Sequence, residues 1–319
     1  MTGRLVSPFE YWPSLPLKDW QDTYATLHMW TQIVGKVRLR QAPHINHWWQ
    51  VPFYMTPRGL TTSPIPYGQR TFEVQFDFHG HRLIVHTCSE GETTRSFPLA
   101  ARSVAEFYGR FMDLLRSLDL EVRIWPVPVE VENPIPFKQD RRHAAYDPEY
   151  ASRFWRILVQ SDRVFQIFRS RFIGKCSPVH FFWGSFDMAL TRFSGRRAPR
   201  HPPVPNLAHF VVIEAYSHEV SSCGFWPGGG PVQEPVYYSY AYPEPDGFKG
   251  YPVRPTGAFY SSELGEFILP YDVVRRSKNP DQELLAFLQS TYEAAAETGR
   301  WDRVNLERMT EQQVSAKCL

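Results

Sequence analysis

The chain has 319 residues, 43% hydrophobic and 21% charged, a balance that excludes a disordered chain, a coiled coil and a collagen-like repeat. Thirty-five Lys and Arg stand against 33 Asp and Glu, leaving a formal charge of +2, too even for binding by the neutralisation of many phosphates. No apolar run reaches the ~18 residues of a membrane span. Aromatic residues make up 15% of the chain and prolines number 28, which suits strands and ordered loops around a core or pocket. Cys88, Cys176, Cys223 and Cys318 lie far apart with no CxxC, against a disulfide framework or a structural zinc site. The N-terminal stretch MTGRLVSPFEYWPSLPLKDW has no apolar leader, so the expected location is cytoplasmic.

In chain order, the first predicted element is an amphipathic helix from Asp19 to Arg40, with Tyr24, Leu27, Trp30, Ile33 and Val37 at helical spacing. Strand-like runs follow at 47–56, 58–65, 70–78 and 82–87. In the third, Phe72, Val74, Phe76 and Phe78 alternate with polar residues, and His79-Gly80-His81 reads as a hairpin turn. A second helix spans Ser103 to Leu118, with Val104, Phe107, Phe111, Leu114 and Leu118 on one face.

The proline-rich stretch WPVPVEVENPIPF then stops regular structure. After it the order repeats: a long helix from Pro148 to Lys175, strand-like runs at 179–193, 209–222, 235–242, 257–262 and 266–270, and a helix from Asp281 to Ala296. The expected fold class is α+β, with two similar helix–antiparallel sheet–helix halves and a cleft between them. The boundaries are 1–125 for the first half, 126–146 for a connector, 147–300 for the second half and 301–319 for a polar tail. The block His47 to Met55 aligns without gaps on His180 to Met188, which suggests a pseudo-twofold duplication.

The sequence lacks GxGxxG, GxxxxGK[ST], HExxH and GxSxG, so the common nucleotide, zinc-protease and serine-hydrolase sites are not expected. Gly228-Gly229-Gly230 reads as a hairpin loop. His47, His180, Glu214 and His218 form the candidate metal set, because imidazole with carboxylate suits a divalent metal such as zinc or iron. Glu214 and His218 face the same way in either a helix or a strand. His180, His218 and Glu219 are the candidate catalytic residues. Each histidine also has a plainer reading as a hydrogen-bonded structural residue. Asp187 falls on the opposite strand parity from His180, so the two would need a bulge to act together.

Arg58 and Arg192 are candidate anion contacts, since a guanidinium presents a bidentate fork to carboxylate or phosphate. Trp48, Trp183 and Tyr238 are candidate ligand-stacking residues. Cys223 would be a nucleophile only beside a histidine.

The blocks WPSLPLKDWQDTYATLHMWTQIVGK, INHWWQVPFYMTPRGLTTSPIPYG, IGKCSPVHFFWGSFDMALTRFSGRRAP and EAYSHEVSSCGFWPGG resemble those of a bacterial family of uncharacterised proteins, a domain of unknown function, over nearly the whole chain. The resemblance implies no activity, cofactor or catalytic residue. The leading expectation is therefore a small-molecule enzyme with a His/carboxylate-lined cleft between the two halves, of a chemistry that could bind a metal, with the reaction and the cofactor left open. The alternative is a non-catalytic binding protein with an aromatic/arginine pocket for an anionic or planar ligand. The expected partner is a small molecule, not nucleic acid or membrane; the oligomeric state stays open.

Overall fold

The computed structural model describes residues 11–89 and 91–308. Helix α1 (Leu17–Gln41) is the first described helix; Lys18, Asp19, Gln21 and Asp22 of its first turns are exposed, and from Met29 to Arg38 it is buried on every side, as expected of a central helix rather than a surface one. A short 3-10 turn (Asn46–Trp48) leads into strands β1 (Tyr54–Thr56), β2 (Gly59–Thr61), β3 (Ile65–Tyr67), β4 (Arg70–Asp77), β5 (Arg82–Ser89) and β6 (Gly91–Pro98). These form an antiparallel sheet of order β1-β2-β4-β5-β6, with β3 also pairing with β4. Helix α2 (Val104–Arg116) is capped by Ser103, whose hydroxyl accepts from the Glu106 N–H, and buries Val104, Phe107, Phe111 and Leu115.

Helix α3 (Pro148–Ser170) starts with Asp147 as its cap, accepting from the Glu149 and Tyr150 N–H groups. The second sheet contains β7 (His180–Phe182), β8 (Asp187–Arg197), β9 (His218–Trp226), β10 (Val236–Tyr242), β11 (Phe259–Ser261) and β12 (Glu266–Pro270). Its order is β11-β12-β10-β9-β8-β7, antiparallel throughout. A short helix α4 (His209–Ala215) interrupts the sheet, and α5 (Tyr271–Arg276), α6 (Pro280–Thr298) and α7 (Arg303–Leu306) close the chain. Phe53 and Phe181 join the edges of the two sheets: each N–H donates to the other's carbonyl, at 2.8 and 2.7 Å.

The α+β class and the helix–sheet–helix order in each half are present; the duplication is not confirmed. His47 lies in a left-handed turn, whereas His180 lies in a strand. Three local readings need correction. The run 179–193 is a hairpin, not one strand, because Trp183 to Phe186 turn the chain with Phe186 at φ 60°. The run 209–222 is a helix followed by a strand, so Glu214 and His218 share no common face. Strand β6 carries too few apolar residues to be read as a strand, yet pairs with β5 along its whole length. The C-terminal tail beyond residue 308 and Cys318 lie outside the described residues. Among the described residues, no helix is long and apolar enough to cross a membrane.

The two halves meet on α1. Trp30 stacks on Phe107 of α2 at 4.6 Å between ring centroids, while Trp20 packs against Phe154 of α3. At Gly35 the Trp183 indole comes so near the helix backbone that an added Cβ would lie 2.4 Å from the ring. Gly→Ala in an open helix position gains about 1 kcal/mol. Here Gly35→Ala is expected to destabilise the fold by about 1–3 kcal/mol, because the well-packed indole must move. Urea unfolding measures this as a lowered midpoint; an unchanged or raised midpoint would show that the contact is not tight.

Candidate functional site

A cavity of about 480 Å³ lies between one face of the second sheet, α1, the 3-10 turn and α4. Strand parity decides what lines it. On β8, Asp187, Ala189, Thr191 and Phe193 face the cavity; on β9 and β10, Val220, Ser222, Tyr238 and Tyr240 do. The alternate residues, among them Met188, Leu190, Arg192, Cys223, Phe225 and Tyr237, are buried on the opposite face, where the Tyr237 hydroxyl bonds Ser161 of α3 at 2.7 Å.

At the floor, the Asp187 carboxylate accepts short hydrogen bonds from the Ser185 and Tyr238 hydroxyls. Tyr238 can lie there because Gly224 stands opposite it across the sheet; a Cβ at Gly224 would be 2.3 Å from the phenol. Burial raises the Asp187 pKa, against the two hydrogen bonds that lower it. Glu130, in the connector, rests its carboxyl against the Gly184 backbone. Its pKa is pushed up to about 7 by burial first and then by the Asp187 charge. Glu266 of β12 is likewise raised to about 7, by burial and Asp187. Lys36 of α1 enters the same space with its ammonium 5.8 Å from the centre of the Trp183 ring, and burial lowers its pKa to about 8.

Helix α1 positions these groups. The Gln32 side chain donates to the Val129 carbonyl at 2.7 Å and accepts from the Val129 N–H at 2.8 Å, which holds the connector next to Glu130. His28 donates through Nε2 to the Gly184 carbonyl at 2.7 Å, and the Trp183 indole N–H donates to the Val51 carbonyl at 2.9 Å.

At the other end, His47 and Trp48 both have left-handed backbones, φ 58° and 62°, a conformation that costs non-glycine residues about 1 kcal/mol or more. Surrounding contacts hold the turn. His47 Nδ1 faces the Glu214 and Ala215 carbonyls at 3.1 and 3.2 Å, so it carries the proton and donates. Nε2 is therefore the acceptor for the Lys175 ammonium at 2.6 Å. Burial and then the Lys175 charge lower the His47 pKa. The Trp48 ring lies 5.6 Å from Phe210 of α4, forming the outer wall.

The cavity thus brings together His47, Trp48, Trp183 and Tyr238 of the expected residues. His218 is adjacent, its ring 5.8 Å from that of His47, with Nδ1 3.1 Å from the Ser217 hydroxyl. The other assignments are corrected by the geometry. His180 is fully buried between Phe182 and Tyr54, has no partner for either ring nitrogen, and is lowered to about 3 by burial. The Glu214 carboxylate turns outward to His44 at 2.9 Å. Among the described residues, no group of three or more His, Cys, Asp or Glu side chains is placed to hold a metal ion, so His47, His180, Glu214 and His218 do not form the expected set.

Glu219 falls on the other parity of β9 and binds Arg196 and the Ser194 hydroxyl. Arg192 points to the helices, donates to the Phe168 carbonyl and has its guanidinium 3.5 Å from the Phe168 ring centre. Arg58 pairs with Asp77 at 2.6 Å in the first sheet. The Cys223 thiol is buried opposite the cavity, with its pKa pushed up by burial. Single-strand parity sets Asp187 opposite His180 unless a bulge intervenes, but the β7–β8 hairpin reverses that parity: His180 pairs with Ala189, and Phe182 with Asp187. Lys36 and Glu130 had no motif; the only signal was a lysine inside the apolar run Ile33-Val34-Gly35-Lys36-Val37.

Fold and site together define an α+β protein with an aromatic-walled cavity ending in buried acids. The chain belongs to DUF5996, a family of unknown function, whose model matches residues 12–308. No curated protein and no solved structure matches it.

The acids leave a pH signature. Glu266 titrates near 4.5 when unfolded and near 7 when folded, so between these values the folded chain binds the extra proton and its stability falls as pH rises. Glu266→Gln is therefore expected to gain stability relative to the parent between about pH 5 and about pH 8, measured by urea unfolding. A gap that shrinks or stays constant would show that Glu266 does not carry this burial cost.

Proposed function

We propose that this protein is a small-molecule enzyme working by proton transfer in the cavity. Its substrate places an apolar body among Trp48, Trp49, Phe182 and Phe193 and a polar head at Asp187 and Glu130. The observation that carries this reading is the Asp187 carboxylate, buried at the end of an aromatic cavity and held by Ser185 and Tyr238, with Glu130 opening into the same space. A carboxyl group titrating near 7 can both give and take a proton near neutral pH. Perturbed acids gathered in a cleft are characteristic of active sites. The acidic floor disfavours an anionic head, and Arg58 and Arg192 lie elsewhere, so the head is neutral or cationic. A non-catalytic binding protein is the second reading, favoured by the two donors that already occupy Asp187. A cytoplasmic location belongs to this proposal, supported by the free thiols of Cys88, Cys176 and Cys223.

A thermal-shift panel of small aromatic compounds tests the cavity. Neutral and cationic members are expected to stabilise the protein, by about 2.7 kcal/mol at a hundredfold excess over Kd. Ala189→Leu, which fills the floor, should fold but lose this response. Equal stabilisation of Ala189→Leu, or a response to anions alone, would sink the proposal.

A further inference from the structure

We propose that Lys36 is a nucleophilic amine that forms an imine with an aldehyde or ketone bound in the cavity, with Glu130 as its proton donor and acceptor. This deepens the preceding reading and rests on it. Lys36 is only 5% exposed, yet it lines the cavity. Among the described residues its amine has no hydrogen-bond acceptor, and neither does the Glu130 carboxyl have a hydrogen-bonded partner. A lysine kept only to stabilise the fold would be paired at such depth, because a buried unpaired ammonium is costly. What surrounds it is an indole face, the Glu130 carboxyl and open cavity.

These surroundings favour the neutral amine, as desolvation does at amine nucleophiles generally. Lys175, the other lysine near the cavity, differs: its ammonium is engaged by His47 at 2.6 Å. A carbonyl compound also fits the site electrically, being neutral where the acidic floor disfavours an anion.

The step balances with groups already present. The neutral Lys36 amine adds to the carbonyl carbon, and the Glu130 carboxyl protonates the oxygen. Glu130 then takes a proton from nitrogen and returns it to the hydroxyl, which leaves as water. The products are a protonated imine on Lys36, one water molecule and the Glu130 carboxylate, which neutralises the new cation. Addition of water reverses the sequence.

Reductive trapping tests this on the full chain, with benzaldehyde as the probe and cyanoborohydride as the reductant. The expected result is one benzyl group per chain, mapped by peptide mass spectrometry to Lys36 and formed about tenfold or more faster than at Lys175. Lys36→Arg and Lys36→Met should both abolish it while remaining folded by circular dichroism. Glu130→Gln should slow it about tenfold or more with Lys36 intact. Labelling at Lys175, or spread over lysines according to exposure, overturns the proposal. Benzyl alcohol separates this test from that of the cavity. If it stabilises the protein but Lys36 stays unlabelled, the cavity reading stands and the lysine proposal alone falls. If Lys36 is labelled equally fast in Ala189→Leu, the amine reacts with the cavity blocked, and both the substrate-site reading and the lysine proposal that rests on it fall.

Discussion

The seating of the Trp183 indole on the α1 backbone at Gly35 is the contact on which the site depends. Trp183 opens the β7–β8 turn, and its position sets where Gly184, Ser185 and Asp187 follow. The contact is possible only because α1 lacks a side chain at position 35. Once the indole is in place, His28 reaches the Gly184 carbonyl, Gln32 holds the connector at Val129, and Lys36 lies over the indole. One face of one helix thus fixes two separate segments of the chain, the β7–β8 turn and the connector. A helix buried on all sides can do this because it touches both halves, whereas a surface helix presents one stripe to one layer.

The second sheet separates two kinds of environment by parity alone. Facing α3 and α6 are Leu190, Cys223, Phe225 and Tyr237, with Arg192 set among the rings of Phe168, Phe172 and Tyr292. Facing the cavity are Asp187, Ser222, Tyr238 and Tyr240. Arg192 belongs to the structure: burial lowers its pKa to about 10, and its charge is met by aromatic faces and a carbonyl. Asp187 has a comparable depth of burial but opens into a space that a ligand can enter. Burial of a charge is thus common to both, and access separates the structural one from the chemical one.

The cavity is also polarised along its length. Lys175, His47 and His218 lie towards one end, and burial with Lys175 lowers both imidazoles, leaving them neutral near pH 7. Asp187 and Glu130 line the other end, with Glu266 of β12 within reach of the Asp187 charge, and the same burial raises these acids. Desolvation therefore pushes both sets towards their uncharged forms. This arrangement suits a neutral guest and allows proton exchange without holding a large net charge away from water.

By itself the sequence determined much of the secondary structure. The helices from Leu17, Val104, Pro148 and Pro280 followed from 3.6-residue periodicity, and the β4–β5 hairpin followed from alternation and a turn. These are short-range properties, set by neighbours on the same element. It also marked the aromatic residues Trp48, Trp183 and Tyr238, because clusters of large side chains stand out locally. It did not show which histidines and arginines meet. His47 and His180 look alike in their aromatic blocks, yet one is a cavity residue in a left-handed turn and the other is sealed beneath Phe182. Only the tertiary structure placed Lys36, Glu130 and Asp187 together. They come from a helix, a connector and a strand far apart in the chain, and each is shifted towards its uncharged form because the fold around it excludes water.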